Sequence, residues 1–326
     1  MQSKVESRRN DFTFAVRLPA STSNLGAGFD CFGLALQRYL SVRATVVRDT
    51  ARKCNVRTSG TSESAELPRN EENLIYRAMA FAARSEGVTL PSLRLSVRNE
   101  IPLGRGLGSS AAAIVGGVKL CGLIGGIKLP DEKVLEYATR FEGHPDNVAA
   151  TLFGGFVITS PKHDGSVLAL KRPWPPELKV VIVSPSFRLA TKLARETLPW
   201  GVTRADAVHN LQRSALFVGA VAAGRYDLLW EAMRDRLHQE RRQTLVPGLA
   251  EVLELPQMEG LLGLALSGAG PSVLALAVDH FDDIASAIAG CFQRYKVRTT
   301  SQRLEVDTVG CQMLSADYAD YADYAD

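Results

Sequence analysis

One segment restricts the fold more than any other, Pro102-Leu-Gly-Arg-Gly-Leu-Gly-Ser-Ser-Ala-Ala112. Upstream of it Leu93, Leu95 and Val97 alternate with polar residues, the period of a half-buried strand. Downstream, Ser109 to Cys121 is small and apolar and reads as a buried helix. A strand led through alternate glycines into a helix lets the backbone approach a ligand closely and aims free N–H groups at an anion. Ser109 and Ser110 add hydroxyls where a phosphate or its metal would sit. The spacing is neither the Walker GxxxxGK[ST] nor the dinucleotide GxGxxG. A glycine-rich turn capped by serines accounts for the glycines equally well, so this loop alone does not decide the function.

The rest of the chain alternates short strand and helix signals. Phe12, Phe14, Val16 and Leu18 predict a strand closed by Pro19, and Val42, Ala44 and Val46 a second one. Leu74, Ile75, Ala78 and Ala82 share a helical face ended by Gly87. Asp131 is placed as the N-cap of a helix carrying Val134, Leu135, Ala138 and Phe141, stopped by Gly143. Composition shifts near Pro161–Gly165, and prolines follow at 173, 175 and 176, which places a domain boundary there. Beyond it, Leu178–Val183 predicts a buried strand. Thr203-Arg-Ala-Asp206 resembles a capping box before a helix whose face is Val208, Leu211, Ala215 and Val218. Leu261–Leu266 and Val273–Val278 flank Ser267-Gly-Ala-Gly-Pro271 as strand, turn and strand. A helix from about Asp282 to Tyr295 and a final strand complete this half. The Tyr-Ala-Asp repeat that ends at Asp326 is low-complexity and has no core-forming pattern.

Composition narrows the function classes. Net charge is +3 over 326 residues, without a block of five basic residues, which is no nucleic-acid footprint. No stretch reaches the apolar length of a membrane span, and the polar Met1–Asn10 is not a secretory signal. The five scattered cysteines form no CxxC pair, which suits a reducing, cytoplasmic setting and argues against a cysteine-ligated metal.

Three further segments turn the glycine loop into part of a pattern. Pro19-Ala-Ser-Thr-Ser-Asn-Leu-Gly-Ala-Gly-Phe-Asp30, the Ser109/Ser110 loop and Leu266-Ser-Gly-Ala-Gly-Pro-Ser272 resemble, in order, the three signature motifs of the GHMP small-molecule kinases. Glu142-Gly-His-Pro-Asp-Asn-Val148, followed by Phe153-Gly-Gly155, resembles the homoserine kinase branch of that superfamily. The resemblance covers about residues 12 to 312. It implies an α+β, two-domain fold: an ATP-binding domain with a left-handed βαβ crossover over residues 10–165, and a ferredoxin-like domain over 166–314. Residues 315–326 form a tail outside both.

The same resemblance implies the chemistry, phosphorylation of the side-chain hydroxyl of L-homoserine by ATP on the route to threonine. ATP would lie on Pro102, Leu103, Gly104, Arg105, Gly106, Leu107, Gly108, Ser109, Ser110 and Ala111, with Asn73 at the adenine. Mg²⁺ would be held by Ser110 and Glu142, hard oxygen donors of the kind it requires. Homoserine, a zwitterion, would place its carboxylate on Arg195 and Arg242, with Arg241 a rival for the latter. Its ammonium would meet Asp30 and Asn24, and its hydroxyl Asn147, with Thr191 and His144 close by. Asn147 cannot take a proton at neutral pH, so positioning and charge stabilisation would carry catalysis. Two sequence departures are Ala27, where the family usually has proline, and Cys31, where it has Ser or Thr and which reads as a packed substitute. Alternatives are a GHMP kinase for another small alcohol, such as mevalonate or shikimate, and a non-catalytic sensor of the same fold. A homodimer is expected from the resemblance alone.

Overall fold

The structure is a computed structural model and describes residues 12–48 and 52–314. Residues 1–10 and the Tyr-Ala-Asp tail, about which the sequence raised expectations, lie outside the described residues. In chain order the elements are β1 (Thr13–Ser23), β2 (Phe32–Val47), β3 (Cys54–Gly60), α1 (Leu74–Glu86), β4 (Ser92–Asn99), α2 (Ser109–Gly125), α3 (Asp131–Glu142), α4 (Asp146–Phe153), β5 (Phe156–Pro161) and β6 (Val167–Arg172). They continue with β7 (Lys179–Pro185), α5 (Thr191–Glu196), α6 (Arg204–Ala223), α7 (Leu229–Ala232), α8 (Gln239–Arg242), α9 (Leu249–Leu253), β8 (Leu261–Leu266), β9 (Val273–Ala277), α10 (Phe281–Arg294), β10 (Thr299–Leu304) and β11 (Gln312–Leu314).

The first sheet has the order β11-β1-β2-β4-β3, with β5 and β6 attached through the start of β2. The long β2 serves two neighbours: Phe32–Leu34 pair with β5, and Leu40–Val47 pair with β4. β3 and β4 are parallel, joined through α1. Pro19 does not close β1 as expected. The strand runs on to Ser23, and its register against β2 shifts between Pro19 and Ala20. A bulge there accommodates a residue without an N–H to donate, and the extension carries Ser21–Ser23 into the site described below.

The second sheet is antiparallel, in the order β10-β7-β9-β8. With helices between β7 and β8 and α10 between β9 and β10, this is the ferredoxin-like arrangement. β7, β8 and β9 carry nearly continuous apolar runs that are mostly buried, whereas the edge strand β10 is polar and largely exposed. Val180 and Ile182 join the large core shared with the first sheet, while Val181 and Val183 join a second core with α9 and α10.

The expected division at 165/166 falls inside the β5–β6 hairpin. β6 pairs with β5 and β11 returns to β1, so both belong to the first sheet. We place the break instead in the proline-bearing link between Arg172 and Lys179.

Two helix expectations also change. Pro130 is the N-cap of α3, and Asp131 is its first residue, with its carboxylate accepting from Lys119 Nζ at 2.5 Å. In α6 the Thr203 hydroxyl does accept the Asp206 N–H, but Val208 and Leu211 are exposed. The buried face is instead Asn210, Phe217, Ala220 and Val221. This helix has apolar residues on more than one side, and periodicity cannot choose between them. The Asn210 amide decides, by reaching the Ala27 carbonyl and the Asp235 carboxylate. Among the described residues no helix is long and apolar enough to cross a membrane.

Candidate active site

The three motif segments, far apart in sequence, meet at the end of β1. The Ser21 N–H donates to the Leu107 carbonyl, the Gly268 N–H to the Ser23 carbonyl, and the Ser267 hydroxyl to the Gly106 carbonyl at 2.6 Å. Thr22 and Ser267 share a buried hydroxyl–hydroxyl bond of 2.8 Å. Ser21, Thr22 and Ser23 are buried because this junction satisfies them.

The glycines of the loop are required where it crosses the other motifs. At Gly106 (φ +73°) a Cβ would stand 2.1 Å from the Ser267 carbonyl oxygen, and at Gly108 (φ +69°) 2.0 Å from the Ser21 hydroxyl. No L side chain fits there. Gly108 is the N-cap of α2 and offers no side chain to the first turn, so the N–H groups there are left for an anion. From the second domain, the Leu189 N–H holds the Gly104 carbonyl at 2.8 Å.

A cleft opens over this loop. It is lined by Pro102, Gly104 to Ser110, Glu142, His144, Asp146, Asn147, Thr191, Arg195, Arg242, Asn24, Asp30 and the Gly268 turn, with Phe29 beneath. Nearly every expected site residue is brought together here. Leu103 and Ala111 flank the lining residues without joining them, and Asn73 lies elsewhere. The Asn73 side chain accepts the Ile75 N–H and donates to the Pro68 carbonyl, which makes it the cap of α1.

Asp30 and Arg195 form a bidentate pair, with bonds of 2.6 and 3.0 Å. Burial works against the Arg195 cation, but the Asp30 hydrogen bonds and charge outweigh it and raise its pKa. Its Nε is buried without a partner. Arg242 is almost fully buried. Its Nε donates to the Ala194 carbonyl, and its Nη1 to the Gly268 carbonyl and to His238 Nδ1, which leaves Nη2 for a ligand. Burial, and then the charge of Arg195, lower its pKa to about 10. Arg241, the rival, is exposed and does not line this cleft. Asn24 lines the cleft, its amide oxygen accepting the Asp30 N–H and its amide nitrogen donating to the Gly268 carbonyl.

Asn147 is held on both sides: its Oδ1 accepts from the Ser21 hydroxyl at 3.0 Å, and its Nδ2 donates to the Ser23 hydroxyl at 2.9 Å. The neighbouring Asp146 is buried yet faces the same cleft, because both residues open α4 and their side chains turn to its N-terminal end. Asp146 Oδ1 accepts from the Asn147 N–H at 2.6 Å and lies 3.2 Å from His144 Nδ1. Burial alone would raise the Asp146 pKa, but the bond and charge of His144, then the Asn147 N–H and the Ser23 hydroxyl, hold it below the ordinary carboxylate range. Burial likewise opposes the His144 cation, and the bond and charge of Asp146 overcome that and hold its pKa above the ordinary value.

The stability of this pair has a definite pH window. The histidine contribution is full below the unfolded imidazole value and is lost as pH rises through the raised folded one. The aspartate contribution is lost as pH falls through its lowered value. In Asp146→Asn, burial and the Arg195 charge act on His144 without their main opponent. An NMR titration of the His144 ring should then show its midpoint fall below the free-imidazole 6.5. An unmoved midpoint would mean that the carboxylate is not what holds the proton.

At the mouth of the loop the Ser110 hydroxyl donates to Glu142 Oε1 at 2.5 Å. Two hard oxygens at the N-terminus of α2 suit Mg²⁺, which takes one or two protein ligands and fills its shell from phosphate and water. Among the described residues no group of three or more His, Cys, Asp or Glu is gathered to hold a metal. Cys31 is packed: its thiol donates to the Thr159 carbonyl, and burial raises its pKa.

Sequence reasoning missed Phe29, Ser21, Ser23 and His238 as members of the site. Ser21, Ser23 and Phe29 lie inside the Pro19–Asp30 segment and His238 lies four residues before Arg242, but nothing in their identity marks them apart from packing residues.

Comparison with known proteins agrees with this geometry. The chain matches the GHMP kinases N terminal domain over residues 73–155 and the GHMP kinases C terminal model over 217–296. It is 48% identical over 261 residues to the homoserine kinase of Deinococcus radiodurans, covering 80% of this chain and 83% of that one. To the homoserine kinase of Desulfitobacterium hafniense it is 39% identical over 300 residues, 92% of this chain and 99% of that one. The crystal structure of homoserine kinase from Cytophaga hutchinsonii superposes with a TM-score of 0.81 at 26% identity, over 96% of this chain and all of that one. At 48% identity and such coverage the shared motifs are not coincidences of glycine spacing, and the chain belongs to the homoserine kinase family of the GHMP kinases.

Proposed function

We propose that the protein transfers the γ-phosphoryl group of ATP to the side-chain hydroxyl of L-homoserine, giving O-phospho-L-homoserine. The observation that carries this reading is the Asp30–Arg195 pair with Arg242 behind it. An α-amino acid is an ammonium and a carboxylate one carbon apart. It can replace each partner of the pair, with its carboxylate on Arg195 and Arg242 Nη2 and its ammonium on Asp30. Neither charge is then left unpaired in a half-buried site. Mevalonate and shikimate offer only the carboxylate and would strand Asp30.

ATP phosphates belong on the glycine loop, against the free N–H groups of α2, where its dipole favours negative charge. Ser110 and Glu142 would hold Mg²⁺. The ion supplies charge neutralisation for the β- and γ-phosphates. Asn147, fixed by Ser21 and Ser23, orients the attacking hydroxyl. Asp146 is held below the ordinary carboxylate range by His144, the Asn147 N–H and the Ser23 hydroxyl, which weakens it as a base. Its role is to hold Asn147 and His144 in place, so that rate comes from positioning and from donors aimed at the phosphoryl oxygens. Asn24 ties the Asp30 loop to the Gly268 turn with one donor and one acceptor site of its amide, and the second of each serves the substrate.

The test is ADP release with Mg²⁺-ATP against L-homoserine, D-homoserine, L-serine, L-threonine, mevalonate and shikimate. Turnover should be confined to L-homoserine. Turnover of mevalonate or shikimate without homoserine would overturn the substrate, and ATP binding without any turnover would overturn the enzyme.

A further inference from the structure

We propose that His238 is a positioning residue for the substrate carboxylate: held in one neutral tautomer, it accepts a hydrogen bond from Arg242 and fixes which guanidinium nitrogen faces the cleft. The inference rests on the assignment of Arg242 to the carboxylate in the proposed function.

The tautomer follows from the partners. His238 Nε2 lies 2.9 Å from the Gly26 carbonyl oxygen, which can only accept, so Nε2 carries the proton. Nδ1 lies 3.1 Å from Arg242 Nη1, which can only donate, so Nδ1 is bare. A second ring proton would point at a guanidinium. Burial, together with the Arg242 charge, keeps the imidazole neutral against the pull of Asp235 and Asp30.

The ring has no freedom to turn. His238 is completely buried and stacks on Phe29 at 5.0 Å between centroids. Its backbone is pinned by Asp235, whose carboxylate accepts the N–H groups of Leu237, His238 and Gln239 and the Asn210 amide. The imidazole is thus a rigid bridge between the Gly26 loop and Arg242. With Nη1 shared between His238 and Gly268 and Nε on Ala194, the guanidinium plane is set before substrate arrives. Such preorganisation lowers the ordering cost of binding.

Two variants and one spectrum test this. His238→Phe keeps a ring against Phe29 and removes both hydrogen bonds. His238→Gln offers an amide oxygen to Arg242 and an amide N–H to Gly26. His238→Phe should raise KM for homoserine about 10- to 100-fold, the range for hydrogen bonds to a charged group. KM for ATP should change less than about twofold and kcat little, because the interaction is made equally in ground and transition states. His238→Gln should recover most of the loss. A wild-type KM in the Phe variant, equal rises for both substrates, or a Gln variant no better than Phe would each overturn the proposal.

Long-range ¹H–¹⁵N correlation of the wild-type ring at neutral pH should show Nε2 protonated and Nδ1 bare. The opposite tautomer or an imidazolium overturns the inference even if neither variant folds. This reading needs no substrate. A wild-type enzyme that ignored homoserine would sink the substrate assignment, while the spectrum would still decide His238.

Discussion

Arg242→Met should need about 100-fold or more additional homoserine for half-maximal rate, while KM for ATP stays near its wild-type value. A buried guanidinium that meets a carboxylate is worth far more than an exposed one, and removing one partner of such a pair commonly costs about 2–5 kcal/mol. Arg242 is buried, its pKa is already pushed down to about 10 by desolvation and by Arg195, and a substrate carboxylate relieves both charges at once. Methionine keeps much of the stem volume, so the pocket against Phe29, whose centroid lies 5.6 Å from the guanidinium carbon, is not emptied. Arg241→Met, one residue away and exposed, should leave both KM values unchanged. Steady-state kinetics on the two variants decide between the arginines that the sequence left as rivals. Equal effects at both positions would show that net positive charge, and not a placed fork, attracts the substrate.

Much of the fold was legible because its signals are local. The alternation of Leu93, Leu95 and Val97, the glycine after α1 and the apolar run of β7 each report a structure that their own few residues determine. The expectation failed where a distant partner decides. Pro19 looks terminal until β2 supplies a bulge opposite it. Val208 and Leu211 look like the buried face of α6 until Asn210 turns that helix toward Ala27 and Asp235. β11 joins the first sheet through a pairing with β1 that lies a whole domain away, and it is β5, itself paired to β2, that carries β6 into the same sheet.

The site divides in the same way. Motif resemblance brought Asp30, Glu142, Asn147, Arg195 and Arg242 to one cleft. It could not say that Asn24 ties the Asp30 loop to the Gly268 turn, that Asn73 caps a helix, or that Asp146 and Asn147 face the same way at the start of α4. The last point is not legible in a sequence, because adjacent side chains seldom point the same way. At a helix N-terminus the first residues need not lie on opposite faces, because their side chains can fold back over the open end.

Glu142→Gln should lower kcat about 100-fold or more at a fixed Mg²⁺ concentration and shift the metal dependence to higher concentration, with Tm unchanged or slightly higher. Glu142 is the last residue of α3, where the helix dipole disfavours a carboxylate. Its place there therefore opposes the stability of its own helix and calls for another cause. Ser110, at the opening of α2, supplies one hydrogen bond at 2.5 Å, but a neutral amide oxygen would accept that bond as well. What glutamine cannot supply is the negative oxygen that a divalent cation prefers and that clamps it against the phosphates. The substitution thus separates the two explanations of the residue. If Glu142 serves only to hold Ser110, activity and metal dependence survive in the glutamine variant. If it holds the ion, both fail while the fold does not, and a metal titration of ATP turnover beside a thermal melt distinguishes the cases.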